Sequence, residues 1–248
     1  MHAIRLGLAF AKAGFKLQHE GSYLGLLWHF LNPLAAFIII YLVFSQVFGQ
    51  TIDQYPLYLL LGLIIFNFFR GVTSEATGIL YGSRHIIKSI NFPKESLIIA
   101  SVLRSSYAHI FEVVVFVILM LFIGLPVTTI LVYPVIFILL ALFVYGLALG
   151  LSAFSVYFLD MSSIWGGFTQ ALWFATPIFY FVDQFSILSI FNLFNPLYYF
   201  ISVSRDIIIY STTPPLYMIG GVLGYTIVSL MLGHLIFNRV KNTFVEKM

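Results

Sequence analysis

The chain has 248 residues, of which 61% are hydrophobic and only 8% charged, with a formal net charge of +3. So few charges cannot cover a soluble globule of this length, and the composition points to an integral membrane protein. Cysteine is absent, which excludes disulfides, thiolate metal sites and thiol nucleophiles. The positive residues are parcelled out along the chain and imply no nucleic-acid partner.

Residues 1–22 read as an amphipathic helix. Arg5, Lys12, Lys16, His19 and Glu20 fall within one third of a helical wheel. Leu6, Phe10 and Leu17 flank that face on one side, and Ile4, Leu8 and Phe15 on the other. Such a helix lies in a membrane surface rather than across it. Gly21, Ser22 and Gly25 then allow a turn, and Trp28 stands where an interfacial anchor belongs. Apolar runs long enough to cross the hydrocarbon core follow at Leu31–Phe48, Leu57–Leu80, Leu97–Ile123, Ile130–Phe158, Ile164–Val182 and Leu216–Phe237. Ten of the twelve Lys and Arg residues lie at one set of ends: Arg5, Lys12 and Lys16; Arg84, Lys88, Lys94 and Arg104; Arg239, Lys241 and Lys247. By the positive-inside rule those ends, and both termini, are cytoplasmic.

The stretch Asp183–Pro215 is apolar, yet Asn195-Pro196 divides it into Gln184–Phe194 and Leu197–Tyr210, each too short to cross. Two half-helices that dip in and return would satisfy it, provided their broken backbone is shielded. A helix hairpin on the outer surface is the alternative. The expected fold class is an all-α membrane protein. It has six transmembrane helices, an N-terminal interface helix, a cytoplasmic loop at 81–96 and a re-entrant pair at 183–215, all in one domain over 1–248.

No catalytic constellation stands out: H-E-x-x-H and G-x-S-x-G are both missing, and the six histidines are scattered. Gly82 to Ser89 approaches the phosphate-cradling pattern G-x-x-x-x-G-K-[ST], but Ile87 occupies the second glycine position and would keep backbone amides from phosphate. Energy must therefore come from a partner or an ion gradient. The charges inside the apolar runs, Arg70, Glu75, Arg104 and Glu112, all fall in spans two and three. In an antiparallel hairpin the depths match for Arg70 with Glu112 and Glu75 with Arg104, so two buried ion pairs are expected; a proton relay is the other reading.

A series of short motifs runs along the chain: Ser22, Leu24-Gly25, Trp28 and Asn32-Pro33; Ile86-Ile87-Lys88 and Phe92-Pro93-Lys94; Thr176-Pro177-Ile178-Phe179-Tyr180; Asn195-Pro196; Arg205-Asp206; and Phe237-Asn238-Arg239 to Phe244. In order and spacing they resemble the membrane subunit of bacterial ABC-2 type polysaccharide exporters, the O-antigen, capsule and teichoic-acid group. One departure is Leu159 before Asp160, where the family commonly has arginine. The resemblance implies a homodimer working with two copies of a separate ABC ATPase, and export of a glycan carried on undecaprenyl diphosphate through the bacterial cytoplasmic membrane. ATP and Mg would be bound by the partner, with no cofactor on this chain. It further implies ATPase coupling through Arg84, Lys88, Phe92, Pro93, Lys94 and Glu95. A cytoplasmic gate would form at Ser22, Tyr23, Leu24, Gly25 and Trp28, and an extracytoplasmic gate at Pro177, Asn195, Pro196, Arg205 and Asp206. Aromatic rings suit a sliding sugar, and Phe37, Tyr41, Phe66, Tyr180 and Tyr198 are the candidates beside these motifs. Arg5, Lys12 and Lys16 would meet either lipid pyrophosphate or anionic membrane lipid. An ion-coupled carrier or flippase, and a drug or small-lipid permease of the same architecture, are the competing functions.

Overall fold

A computed structural model describes residues 2–19, 28–182, 187–241 and 244, and the described residues are helical apart from turns and loops. The helices are α1 (His2–His19), α2 (Trp28–Phe48), α3 (Tyr55–Gly82), α4 (Arg84–Ser89), α5 (Glu95–Ile123), α6 (Tyr133–Ser155), α7 (Met161–Ala175), α8 (Ile187–Leu193), α9 (Pro196–Ile208) and α10 (Leu216–Val240). A short 3-10 helix, Val127–Val132, leads into α6. Four helical segments are long and apolar enough to cross a membrane: Tyr55–Gly82, Glu95–Ile123, Val127–Ser155 and Leu216–Val240. The apolar run Pro33–Phe48 of α2 is shorter, and α7 has 15 residues.

Among the four, α3 is the centre. In its most apolar stretch 78% of residues are buried, against 22–28% in the other three. It packs against α2, α5, α6, α7 and α9, and Leu57, Leu59, Ile65, Phe66, Val72 and Leu80 are wholly enclosed. The closest helix pair is α6 with α10. There the backbones meet without intervening side chains: a Cβ on Gly233 would collide with the Gly146 carbonyl, and one on Gly146 with the Ser229 backbone. Small residues at a helix crossing give dispersion contact where lipid offers no hydrophobic drive. Ser229 Oγ donates to the Phe143 carbonyl at 2.7 Å across the same crossing.

Element existence follows the hydropathy; several ends differ for local reasons. The expected fifth span stops at Ala175 rather than Val182, because Pro177 lacks an N–H and forces Thr176 to extended backbone (φ −82°, ψ 134°). Within the expected loop at 81–96 a short helix forms over Arg84–Ser89, and Pro93 holds the remainder out of the helix until Glu95 opens α5. Helices α8 and α9 stand on either side of Asn195-Pro196, and α9 ends at Ile208 rather than at the expected Tyr210. Asn195 caps α9 by accepting from Leu197 N at 3.1 Å, with Pro196 at the first helical position. α1 packs along α5, Ala11 being buried, Phe15 against Tyr107 and Phe10 edge-on to Phe92. The expected turn at Ser22, Tyr23, Leu24 and Gly25 lies outside the described residues, as does Asp183 to Ser186 at the head of the divided segment.

Candidate functional site

The break after α7 leaves four consecutive carbonyls, Pro177 to Tyr180, without helical partners, and side chains from other elements satisfy them. Arg205 on α9 donates to Pro177 O at 2.8 Å and Ile178 O at 2.8 Å, and also to Tyr58 O on α3 at 2.9 Å. Its guanidinium lies over the Tyr58 ring, 3.2 Å from the centroid. The Tyr55 hydroxyl donates to Phe179 O (3.0 Å) and the Tyr58 hydroxyl to Tyr180 O (2.9 Å). Asn195 donates to Thr176 Oγ1 at 2.9 Å, tying the second break to the first. Close approach requires Gly62, where a Cβ would come within 2.8 Å of the Arg205 guanidinium. Buried irregular backbone is thus fully supplied with donors, the condition for tolerating it at membrane depth. Of the residues nominated for an outer gate, Pro177, Asn195 and Arg205 are buried, while Pro196 and Asp206 are half-buried. Arg205 consequently holds the break together and offers no free face.

The intramembrane charges form one of the two expected pairs. Arg104 makes an ion pair with Glu75, and Ser101 Oγ donates to the same carboxylate at 2.5 Å. Arg70 and Glu112 are not paired. Arg70 is exposed, whereas Glu112 is buried, accepts from Asn67 Nδ2 at 3.4 Å and lies 3.6 Å from His109 Nδ1. Asn67 and Glu75 are as far apart on α3 as Arg104 and Glu112 are on α5, so the register that joins Glu75 to Arg104 brings Asn67 to Glu112. Arg70 sits most of a turn away and points off the interface. His109 completes this buried polar group through its 2.8 Å contact with the Tyr133 hydroxyl and its stack on Phe137, 4.4 Å between centroids.

At the α4 end, Arg84, His85, Ile86, Lys88 and Ile90 are exposed and Ile87 is buried. Lys94 and Glu95 do something else. Lys94 Nζ donates to Lys241 O at 2.8 Å and lies over the Phe244 ring at 5.5 Å, while Lys241 Nζ is 3.5 Å from Glu95. Burial pushes the Lys94 ammonium below its ordinary pKa; Glu95 opposes that shift and Lys241 adds to it. The loop base is thereby fastened to the end of α10, and Phe92 to α1.

The aromatic candidates divide. Phe66 is wholly enclosed and packs on Phe69, so it cannot line a passage. Phe37 is buried too, stacked on Tyr41 at 5.8 Å. Tyr41, half-buried, continues to Tyr55 at 6.1 Å. Tyr180 and Tyr198 are half-buried and Trp28 is exposed. Two concave regions escaped the sequence reading. One is an almost wholly apolar crevice of about 540 Å³ between α6, α7, α10 and the α8–α9 break. The other is a polar groove of about 570 Å³ at the α2–α3 turn, lined by Tyr41, Ser45, Gln46, Gln50, Asp53 and Gln54 among others. Among the described residues there is no cluster of three or more His, Cys, Asp or Glu able to hold a metal.

Residues 6–209 match the ABC-2 type transporter family. The chain belongs to that family. It is 26% identical over 235 residues to an O-antigen export system permease protein RfbA of Klebsiella pneumoniae, an alignment covering 93% of this chain and 90% of the relative. A protein of the same name from Myxococcus xanthus is 23% identical with the same coverage. The chain is thus a multi-pass membrane component of a transporter.

Within this ABC-2 protein the Glu75–Arg104 pair is testable. The two side chains are 36% and 22% exposed, so the protein does not enclose the pair and its contribution is about 1 kcal/mol, less than a fully enclosed pair would give. Glu75→Arg and Arg104→Glu alone should each lower thermal stability modestly, and the double exchange should restore it. Arg70→Ala should leave stability within about 0.5 kcal/mol of the parent. A larger loss from Arg70→Ala than from Arg104→Glu would contradict the pairing.

Proposed function

We propose that this chain is the membrane subunit of an ATP-driven exporter of lipid-linked polysaccharide, of the O-antigen class, in the bacterial cytoplasmic membrane. The observation that carries the reading is the nearly end-to-end likeness to proteins named for O-antigen export. In this reading α2 and α7 join the four longer helices as spans, both termini are cytoplasmic, and α8–α9 form a re-entrant pair. Burial of α9 against α3, α6 and α10, with its break supplied with donors, supports the dip over a surface hairpin.

The mechanism follows from what a sugar chain requires. Each unsatisfied hydroxyl would cost several kcal/mol in hydrocarbon, so a polar and aromatic path must run the full depth. Two copies of the chain would enclose it, with Tyr41, Tyr180 and Tyr198 as the half-buried rings available to it. A separate ABC ATPase, present in two copies, supplies ATP and Mg chemistry; the undecaprenyl-diphosphate end enters from the cytoplasmic leaflet near α1 and the segment before Trp28. The exposed α4 seats on the ATPase. Lys94, Glu95 and Phe92 pass its displacement to α10 and α1.

Reconstitution tests this. The isolated chain in lipid should hydrolyse no ATP. With an ABC ATPase partner it should move an undecaprenyl-diphosphate-linked glycan across proteoliposomes only when ATP is supplied. Export driven by an ion gradient with no ATPase present would favour the carrier reading instead.

A further inference from the structure

The groove at the α2–α3 turn is lined mainly by uncharged polar side chains. One wall is the end of α2, with Tyr41, Ser45 and Gln46; the other is the turn and first residues of α3, with Gln50, Asp53, Gln54 and Tyr55. Half-buried Tyr41 is the open aromatic side chain of the groove, steadied by buried Tyr55, with ring centroids 6.1 Å apart. The Tyr55 hydroxyl is committed to Phe179 O, and Asp53 O accepts from Tyr210, so the turn is held in place from behind. Gln46, Gln50, Asp53 and Gln54 are all exposed around that ring.

Gln54 adds an independent observation. Its backbone is left-handed (φ 56°, ψ 38°), a conformation that glycine adopts freely and a glutamine only with strain. Its side chain makes no capping hydrogen bond to α3. Local folding alone would therefore be better served by glycine at 54, and what glutamine brings is a carboxamide on the groove rim.

We propose that this groove is a binding subsite for an uncharged, hydroxyl-rich glycan segment, and that it discriminates against anionic glycans. The open part of the Tyr41 ring gives the C–H side of a pyranose an apolar contact, while three carboxamides and a serine hydroxyl donate to and accept from its hydroxyls. The lining contains one carboxylate, Asp53, and neither lysine nor arginine. A phosphate- or carboxylate-bearing sugar would meet a like charge with nothing to compensate it. The proposal rests on the exporter reading for its orientation: the α2–α3 turn is then extracytoplasmic, and the groove takes the chain as it leaves. It narrows the cargo to neutral glycans, separating them from uronic-acid capsules and from polyol-phosphate teichoic acids.

Equilibrium binding to the full chain in nanodiscs tests it, and needs neither ATPase nor export. Maltoheptaose serves as the neutral probe and a heptameric oligogalacturonate as the anionic one, read by saturation-transfer NMR at low salt. Maltoheptaose should bind with millimolar affinity and the oligogalacturonate about tenfold more weakly or less. Asp53→Asn should narrow that gap. Gln54→Gly should keep or raise thermal stability while weakening maltoheptaose roughly threefold, a combination that a purely structural residue would not give. Gln46→Ala with Gln50→Ala, both on exposed side chains, should weaken it further with the fold intact. No saturable binding of maltoheptaose at tens of millimolar, equal binding of both probes, or unchanged affinity in the glutamine variants would overturn the proposal. Because none of these measures transport, the groove can fail while ATP-driven export stands. If export fails in reconstitution while the binding pattern holds, the groove remains as a neutral-sugar site and the exporter reading is what falls.

Discussion

Arg205→Ala is expected to cost about 3–5 kcal/mol of folding stability, enough to remove most folded protein from the membrane. Arg205 is 4% exposed, and its guanidinium supplies donors to the carbonyls of Tyr58, Pro177 and Ile178. Pro177 and Ile178 belong to a helix break, so their oxygens have no helical donor to fall back on, and deleting the side chain strands them in a buried site. The ring of Tyr58 loses its cation as well. Arg205→Lys should recover only part of the loss, because one ammonium cannot reproduce a planar fork that reaches two elements at once. Asp206→Ala on the adjacent, half-buried position is the control and should cost about 1 kcal/mol or less. Thermal unfolding of the purified chain in detergent reads all three. An Arg205→Ala protein as stable as its parent, but defective in export, would return Arg205 to the outer gate as a glycan-facing residue.

Hydropathy was enough to find each long helix, because a span must be continuously apolar. Partner choice was harder. Glu75 and Arg104 could be paired from sequence, since equal depth and opposite sign coincided. Arg70 and Glu112 also matched in depth, but depth says nothing about azimuth, and the residue that faces Glu112 is Asn67, a turn earlier and uncharged. Arg205 was legible as part of a motif yet not as the clamp across the break, because its acceptors are backbone carbonyls and every residue carries one. Phe66 and Tyr41 illustrate the same limit among aromatics: one is enclosed by α3's position at the centre of the bundle, the other half-open, and no local pattern separates them. Gln50, Asp53 and Gln54 carry no motif that marks a groove; its signal is the left-handed backbone at Gln54, which sequence does not display.

Ile86→Asp combined with Ile90→Asp is expected to weaken association with the ABC ATPase strongly while leaving the chain folded. Both side chains are exposed, at 42% and 54%, on or just beyond α4, in company with Arg84 and Lys88. Exposed apolar groups at the charged end of a membrane protein gain nothing from water, and a protein partner is what would cover them. Two apolar contacts at the centre of an interface contribute about 2–4 kcal/mol together, so the affinity should fall between about thirtyfold and a thousandfold. Ile87, between them, is 4% exposed and faces inward. Ile87→Ala should show the reverse pattern: a stability loss of about 2–3 kcal/mol, with association retained by the protein that folds. Lys94→Ala should differ from both, since its ammonium holds the Lys241 carbonyl; association should persist while coupling of ATP hydrolysis to export drops. Co-purification of the ATPase, thermal stability and ATP-dependent export separate the three variants. Wild-type recovery of the ATPase by the Ile86→Asp, Ile90→Asp chain would mean that the partner seats elsewhere, and α4 would then be no more than the turn between α3 and α5.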